Sequence, residues 1–196
     1  MRRIHSLARI GATALVAASF AIPPALAGGG MKADRQQQAA AAQHQPLTAQ
    51  NFVTYAGNAD LFQMEASKIA VQRAQSAEVK LYAQQMASQH AASTGRITAA
   101  ARQAGLAPAA PILTTHMQQK LNELQNASTN SFDERYITLL VEAQERELRL
   151  HNAYTRSSDN PALRSASSET ARLVQQHLAE ARRISTQIIA DRPGNS

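Results

Sequence analysis

Apolar side chains recur every three to four residues along most of this chain, and that spacing is typical of helices rather than strands. The repeat continues from Leu47 to about Ala190, interrupted only by short runs of capping and turn residues. Those interruptions divide it into four long helices and one short helix. The pattern therefore predicts an all-α protein, because no segment shows the two-residue period of a strand.

The first two predicted helices form a pair. Thr48 is placed to cap a helix that runs to about Arg73, and Ser76 is placed to cap the next helix. Because this connection is short, the second helix must fold back antiparallel on the first. Gly105 is the expected end of the second helix, since glycine is common just beyond a helix C-terminus. The inward faces are expected to carry Phe52, Tyr55, Ala59, Phe62, Ala66, Ile69, Val79, Tyr82, Ala83, Met86, His90, Thr94, Ile97 and Ala101.

A second antiparallel pair is predicted further along the chain. Ser131 and Glu134 have the spacing of a capping box, and Asn160 is a suitable cap for the last helix. Between the pairs, residues 105–131 form a long connection that contains a short amphipathic helix at about Thr115–Gln125. Two hairpins joined in this way are typical of a ferritin-like four-helix bundle. The second pair is expected to face inward with Tyr136, Leu140, Ala143, Glu147, Leu150, Tyr154, Leu163, Ala166, Leu173, His177, Ala181, Ile184 and Ile188.

The beginning of the chain has the layout of a secretory signal peptide. Arginines precede an uncharged run from Ile10 to Ile22, and Ala25-Leu26-Ala27 suits signal peptidase. The run is too short for a stable membrane anchor. We expect an exported protein, free in the periplasm or associated with the outer membrane. The expected organisation is a signal peptide (1–27), a flexible spacer (28–46), the bundle domain (47–190) and a disordered tail (191–196).

Composition narrows the classes of function. The formal net charge is +6 at pH 7, but the signal segment carries three of the arginines and no acidic residue. No block of basic residues with interleaved aromatics is present, so we expect no nucleic-acid partner and leave envelope or membrane-surface association open. The chain has no cysteine, which excludes disulfides. It also lacks a G-x-S-x-G elbow and a glycine-rich phosphate loop, so we do not expect an enzyme.

Several short motifs resemble a bacterial family known as domain of unknown function 4142. They are, in chain order, Phe52-Val53, Ala56, Asp60, Glu65, Ala70, the segment SAEVKLYA from Ser76 to Ala83, Met86, His90, Phe132-Asp133, Tyr136 and His177-Leu178. The resemblance implies an exported, ferritin-like helical protein of the kind sometimes labelled an outer-membrane protein. The chain departs from the family at Gln89, where an acidic residue is usual, and at Gln144, where a histidine is usual.

Two histidines stand in otherwise apolar helix faces, His90 and His177. Each needs a hydrogen-bond or ligand partner once it is buried. At about 1.5 Å of rise per residue, Glu65, His90 and Glu147 fall at similar levels near the middle of the bundle. The candidate site therefore comprises Glu65, His90, Glu147 and His177. The remaining histidines that we expect at the surface are His44, His116 and His151.

This candidate layer has two interpretations. In the first, Glu65 pairs with His90 or His177 only to satisfy buried groups, inside a non-enzymatic binding or envelope-associated protein that needs no cofactor. In the second, the same residues hold a divalent transition metal weakly, in a metal-handling or redox-protective protein. A di-iron centre is not expected, because Ala87 and Val174 occupy the acidic positions of its Glu-x-x-His motifs. The sequence favours the structural interpretation.

Overall fold

The computed structural model describes residues 47–158 and 160–191. The predicted signal peptide, the spacer up to residue 46 and residues 192–196 of the predicted tail lie outside the described residues. Within the described ranges the long helices are α1 (Ala49–Arg73), α2 (Ala77–Gln103), α4 (Phe132–Ser157) and α5 (Pro161–Ala190), and the short helix is α3 (Thr115–Gln125). These ranges contain no strand. The all-α prediction is confirmed.

Three of the predicted helix starts are confirmed by their side chains. Thr48, Ser76 and Asn160 each accept a hydrogen bond from the backbone N–H three residues further on. These bonds satisfy amides that have no partner inside the helix. Gly105 follows the end of α2 with a φ of 76°, a left-handed conformation that glycine adopts without strain.

The predicted capping box at Ser131 is wrong. Ser131 closes a short 3-10 turn, Thr129–Ser131, that runs directly into α4. Its backbone is already helical, and its hydroxyl donates to the carbonyl of Ser128 at 3.3 Å and caps no backbone N–H of α4. Because the turn supplies the start of the helix, the side chain is not needed as a cap.

The long helices pack as two pairs, α1 with α2 and α4 with α5. The connections within each pair are short, so the paired helices run antiparallel. Further contacts between α2 and α5 and between α1 and α4 close the bundle, and α3 lies against α1 and α4. Leu121 and Leu124 are the buried residues of α3. None of the described helices is both long enough and apolar enough to span a membrane.

The inward face of α1 differs from the predicted face. Tyr55, expected in the core, is 53% exposed. The line of buried positions on α1 instead includes Phe52, Ala56, Asp60, Gln63, Ser67 and Ala70. Phe52, Phe62 and Ala66 are buried as expected, but three of the residues in this line are polar, so the apolar pattern alone identified only part of the face.

The apolar core consists of two clusters. One includes Tyr82, Phe132 and Leu140, and the other includes Phe52 and Leu163. Buried polar residues lie along the helices between the two clusters. This arrangement creates a polar layer in the middle of the bundle.

Candidate functional site

Three buried side chains from three helices meet in the polar layer: Asp60 of α1, His90 of α2 and Glu147 of α4. Each is 1% exposed. One potential ligand atom of each lies within 4.8 Å of the other two. His90 Nδ1 is 2.8 Å from Asp60 Oδ1 and 3.8 Å from Glu147 Oε2. The group is therefore compact and enclosed by protein.

Of the four residues that the sequence singled out, the structure brings His90 and Glu147 into this group. His177 lies beside it, with its ring centroid 5.4 Å from that of His90. Glu65 does not join them, because it pairs with Lys68 at 2.7 Å on a partly exposed part of α1. Its predicted place in the layer is wrong, and Asp60 occupies that place. The two acids are five positions apart along the helix, so they point in different directions from the axis.

His151 was expected at the surface, and this prediction is wrong. Its side chain is fully buried and follows Glu147 by one helical turn, with Nε2 3.6 Å from Glu147 Oε1. The spacing of four residues places both on one face of α4. That spacing is the signal by which the sequence could have identified His151.

Neighbouring polar side chains hold the carboxylates in place. Gln63 Nε2 donates to Glu147 Oε2, and the Thr94 hydroxyl donates to Asp60 Oδ2 at 2.9 Å. The amide nitrogen of Gln144 is 3.4 Å from His90 Nε2. Rotating that amide by a half turn would present its oxygen to the same ring nitrogen. Gln144 can therefore form a hydrogen bond with His90 whether Nε2 is the acceptor or the donor of that bond.

Several buried acceptor atoms in this layer have no donor. Among the described residues no hydrogen-bond partner is found for five of its side-chain atoms, which are Gln63 Oε1, Gln144 Oε1, Glu147 Oε1, His151 Nε2 and His177 Nδ1. The His177 ring is hydrogen-bonded through Nε2 to Gln89 Oε1, so its proton is on Nε2 and Nδ1 is an acceptor. Buried acceptors without donors are costly. A site that gathers them is suited to a cation or to donating water.

Burial and charge shift the pKa values of these groups in different directions. For Asp60, burial dominates and raises the pKa. Burial would also raise the pKa of Glu147, but the charge of His90, the adjacent His151 ring and a hydrogen bond from Gln63 lower it below its ordinary value. Burial would lower the pKa of His90, but the two carboxylates raise it. The layer therefore favours a positive charge between Asp60 and Glu147.

A cavity of about 300 Å³ lies between α1, α3 and α4 and reaches this layer. Its lining includes Gln63 and Glu147 of the polar layer together with His116, Met117 and Arg146. His116 and Arg146 are exposed. The cavity therefore extends from the surface to the Glu147 side chain, whose carboxylate is itself fully buried.

Comparison with known proteins identifies the family of the chain. Residues 33–184 match the sequence model of the family described as a domain of unknown function, DUF4142. The chain belongs to the DUF4142 family. The match includes all of α1 to α4 and most of α5, so Asp60, His90 and Glu147 lie within the DUF4142 domain. No curated protein and no solved structure matches the chain.

Proposed function

We propose that this DUF4142 protein is an exported helical bundle that binds a divalent transition-metal ion between Asp60, His90 and Glu147. The observation that carries the proposal is the set of four buried acceptors without donors around these side chains, which are Gln63 Oε1, Glu147 Oε1, His151 Nε2 and His177 Nδ1. A layer built only to stabilise the fold would pair most of its buried acceptors with donors. The metal interpretation of the sequence is therefore preferred to the structural one.

The residues fit a divalent cation in charge and in spacing. Two carboxylates neutralise the two charges of the ion, and His90 contributes its Nδ1 after the ion displaces the proton that this nitrogen shares with Asp60. An ion bound tetrahedrally at about 2.0–2.2 Å separates its ligand atoms by about 3.4 Å. The distances from His90 Nδ1, 2.8 Å to Asp60 and 3.8 Å to Glu147, lie on either side of that value. Small side-chain movements are therefore sufficient to form the site.

The ligand types indicate which ions are suitable. Carboxylate and imidazole donors are common ligands of Zn²⁺, Mn²⁺ and Fe²⁺. Thiolate ligands are absent, because the chain contains no cysteine. Ca²⁺ prefers about six to eight oxygen ligands, which three side chains cannot supply without many waters. We therefore expect Zn²⁺ to bind and Ca²⁺ to compete poorly.

The proposal is tested by titrating Zn²⁺ into protein purified without a histidine tag. Calorimetry measures the binding, and thermal unfolding with and without Zn²⁺ measures the stability. We expect saturable binding and a rise in unfolding temperature, since an ion that binds only the folded chain stabilises it. Asp60→Asn should weaken binding roughly 10-fold or more, by the scale seen when a metal site loses one supporting group. Glu65→Gln is the matched control, because it makes the same acid-to-amide change on α1 outside the site.

Two results would contradict the proposal. One is the absence of saturable Zn²⁺ binding up to millimolar concentration in the folded wild-type protein. The other is binding that Asp60→Asn and Glu65→Gln leave equally strong, which would locate the ion at the surface. Either result would favour a layer that serves the fold alone.

We also propose that the protein reaches the periplasm after cleavage behind Ala27. The arginine-rich start, the uncharged run and the small residues at Ala25 and Ala27 support this proposal. Mass spectrometry of protein isolated from the periplasmic fraction should identify Gly28 as the first residue. Protein that retains Met1 and stays with the cytoplasmic fraction would contradict it.

A further inference from the structure

A second pair of ligand atoms faces one another beside the proposed ion. Glu147 Oε1 and His151 Nε2 are 3.6 Å apart, and both side chains are 0% exposed. Neither atom has a hydrogen-bond partner among the described residues. A separation of 3.6 Å is too long for a hydrogen bond between them. Both atoms therefore lack the contact that their burial requires.

Ser167 determines which nitrogen of His151 carries the proton. The Ser167 hydroxyl donates to the backbone carbonyl of His151 at 3.0 Å, and it receives a hydrogen bond from Thr155 at 3.1 Å. We assign the ring proton of His151 to Nδ1, because the single hydroxyl proton of Ser167 then stays on the shorter bond to the carbonyl and Nδ1 donates across the 3.2 Å contact. The neutral ring then has a lone pair on Nε2. Two acceptors, Nε2 and the carboxylate oxygen of Glu147, thus face each other with no donor between them.

A metal ion would resolve this arrangement. If one ion bonds to both atoms at about 2.1 Å, their observed separation sets an angle of about 120° between the two bonds at the ion. This angle is close to the tetrahedral value. His151 lies outside the group formed by Asp60, His90 and Glu147, whose ligand atoms are all within 4.8 Å of one another. A single ion in that group therefore does not also bind His151 without rearrangement.

We propose that a second divalent cation binds between Glu147 Oε1 and His151 Nε2, so that the carboxylate of Glu147 bridges two ions. This inference rests on the proposed function, because the first ion uses the other oxygen of the same carboxylate. Gln63 Oε1 is a further buried oxygen without a partner, on the side chain that donates to Glu147.

Counting bound Zn²⁺ ions by native mass spectrometry tests the second position. Wild-type protein saturated with Zn²⁺ should hold two ions per chain, and His151→Phe should hold one. Phenylalanine keeps an aromatic ring against Phe52, on which His151 packs edge-on with ring centroids 5.3 Å apart. The matched control is His116→Phe, which removes an exposed imidazole and should leave two ions.

Ser167→Ala provides a second test that does not remove a ligand. Loss of the acceptor that orients His151 should weaken binding of the second ion roughly 10-fold or more, as does the loss of other hydrogen bonds to metal ligands. The affinity for the first ion should not change.

Failure of this inference can be distinguished from failure of the proposed function. One ion in the wild type and one in His151→Phe would overturn the second position and leave the first intact. One ion in the wild type and none in His151→Phe would also overturn it, because a single ion would then require His151. No bound ion in either protein would overturn both proposals.

Discussion

His177 shows how burial sets the charge of one residue in this bundle. Burial lowers its pKa to about 4, the charge of His90 acts in the same direction, and Glu147 opposes them. The ring is therefore neutral at pH 7, where its Nε2–H donates to Gln89. In the unfolded chain the same ring takes up a proton near pH 6.5.

This difference predicts that the folded protein loses stability as the pH falls. Between about pH 6.5 and pH 4 the unfolded chain binds a proton at His177 that the folded chain does not, so the free energy of unfolding decreases. We expect His177 to contribute about 1 to 3 kcal/mol to that loss. Urea unfolding of His177→Gln at pH 7 and pH 4.5 should show a correspondingly smaller decrease than the wild type.

The control for this experiment is His116→Gln, which changes an exposed ring. It should retain the wild-type dependence on pH. If His177→Gln retains that dependence as well, the His177 ring is not held neutral by the fold, and the prediction is wrong.

Residues of the site could be predicted only in part from the sequence. His90 and His177 were identifiable because a polar residue stands out in an apolar face. Asp60 was named only among the family motifs and not as a site residue, since it stands on a face of α1 that also buries Gln63 and Ser67. The estimated level along the bundle instead selected Glu65, which in the structure pairs with Lys68.

At the scale of helices, Arg73 ties the end of α1 to the connection that carries α3. Its guanidinium donates to the carbonyls of Leu124 at 3.2 Å, Ala127 at 2.7 Å and Gln125. The same group lies 4.7 Å from the ring centroid of Phe132. One planar side chain therefore satisfies carbonyls at the end of α3 and covers an aromatic ring at the start of α4.

Arg73→Lys should destabilise the protein by about 1 to 2 kcal/mol, because lysine cannot reproduce the several hydrogen bonds and the stacking of a planar guanidinium. Arg102→Lys makes the same change at an exposed position near the end of α2 and should have almost no effect. Urea unfolding of both variants measures the difference. Equal stability of the two variants would show that Arg73 does not hold the connection in place.

Helix boundaries were largely predictable because they depend on local chemistry. Thr48, Ser76 and Asn160 cap their helices through hydrogen bonds that span three residues, and such bonds leave a clear spacing in the sequence. Ser131 shows the limit of that approach. Its spacing to Glu134 suits a capping box, but the preceding 3-10 turn already starts α4.

At the scale of the whole molecule, the pairing of helices followed from the lengths of their connections. Short connections allow only antiparallel neighbours, and α1 with α2 and α4 with α5 pack in that way. The rotation of each helix about its axis was harder to predict from the sequence. It is set by contacts between residues far apart in the chain, such as Gln63 with Glu147, and by the two apolar clusters on either side of the polar layer.

The central claim is that the carboxylates and imidazole of the polar layer hold a metal ion. The most direct test is a crystal structure of the protein grown with Zn²⁺, with anomalous diffraction measured at the zinc absorption edge. The account predicts an anomalous peak at about 2.0–2.2 Å from ligand atoms of Asp60, His90 and Glu147. An anomalous map without a peak in this layer, with ordered waters bonded to its free acceptors instead, would contradict it.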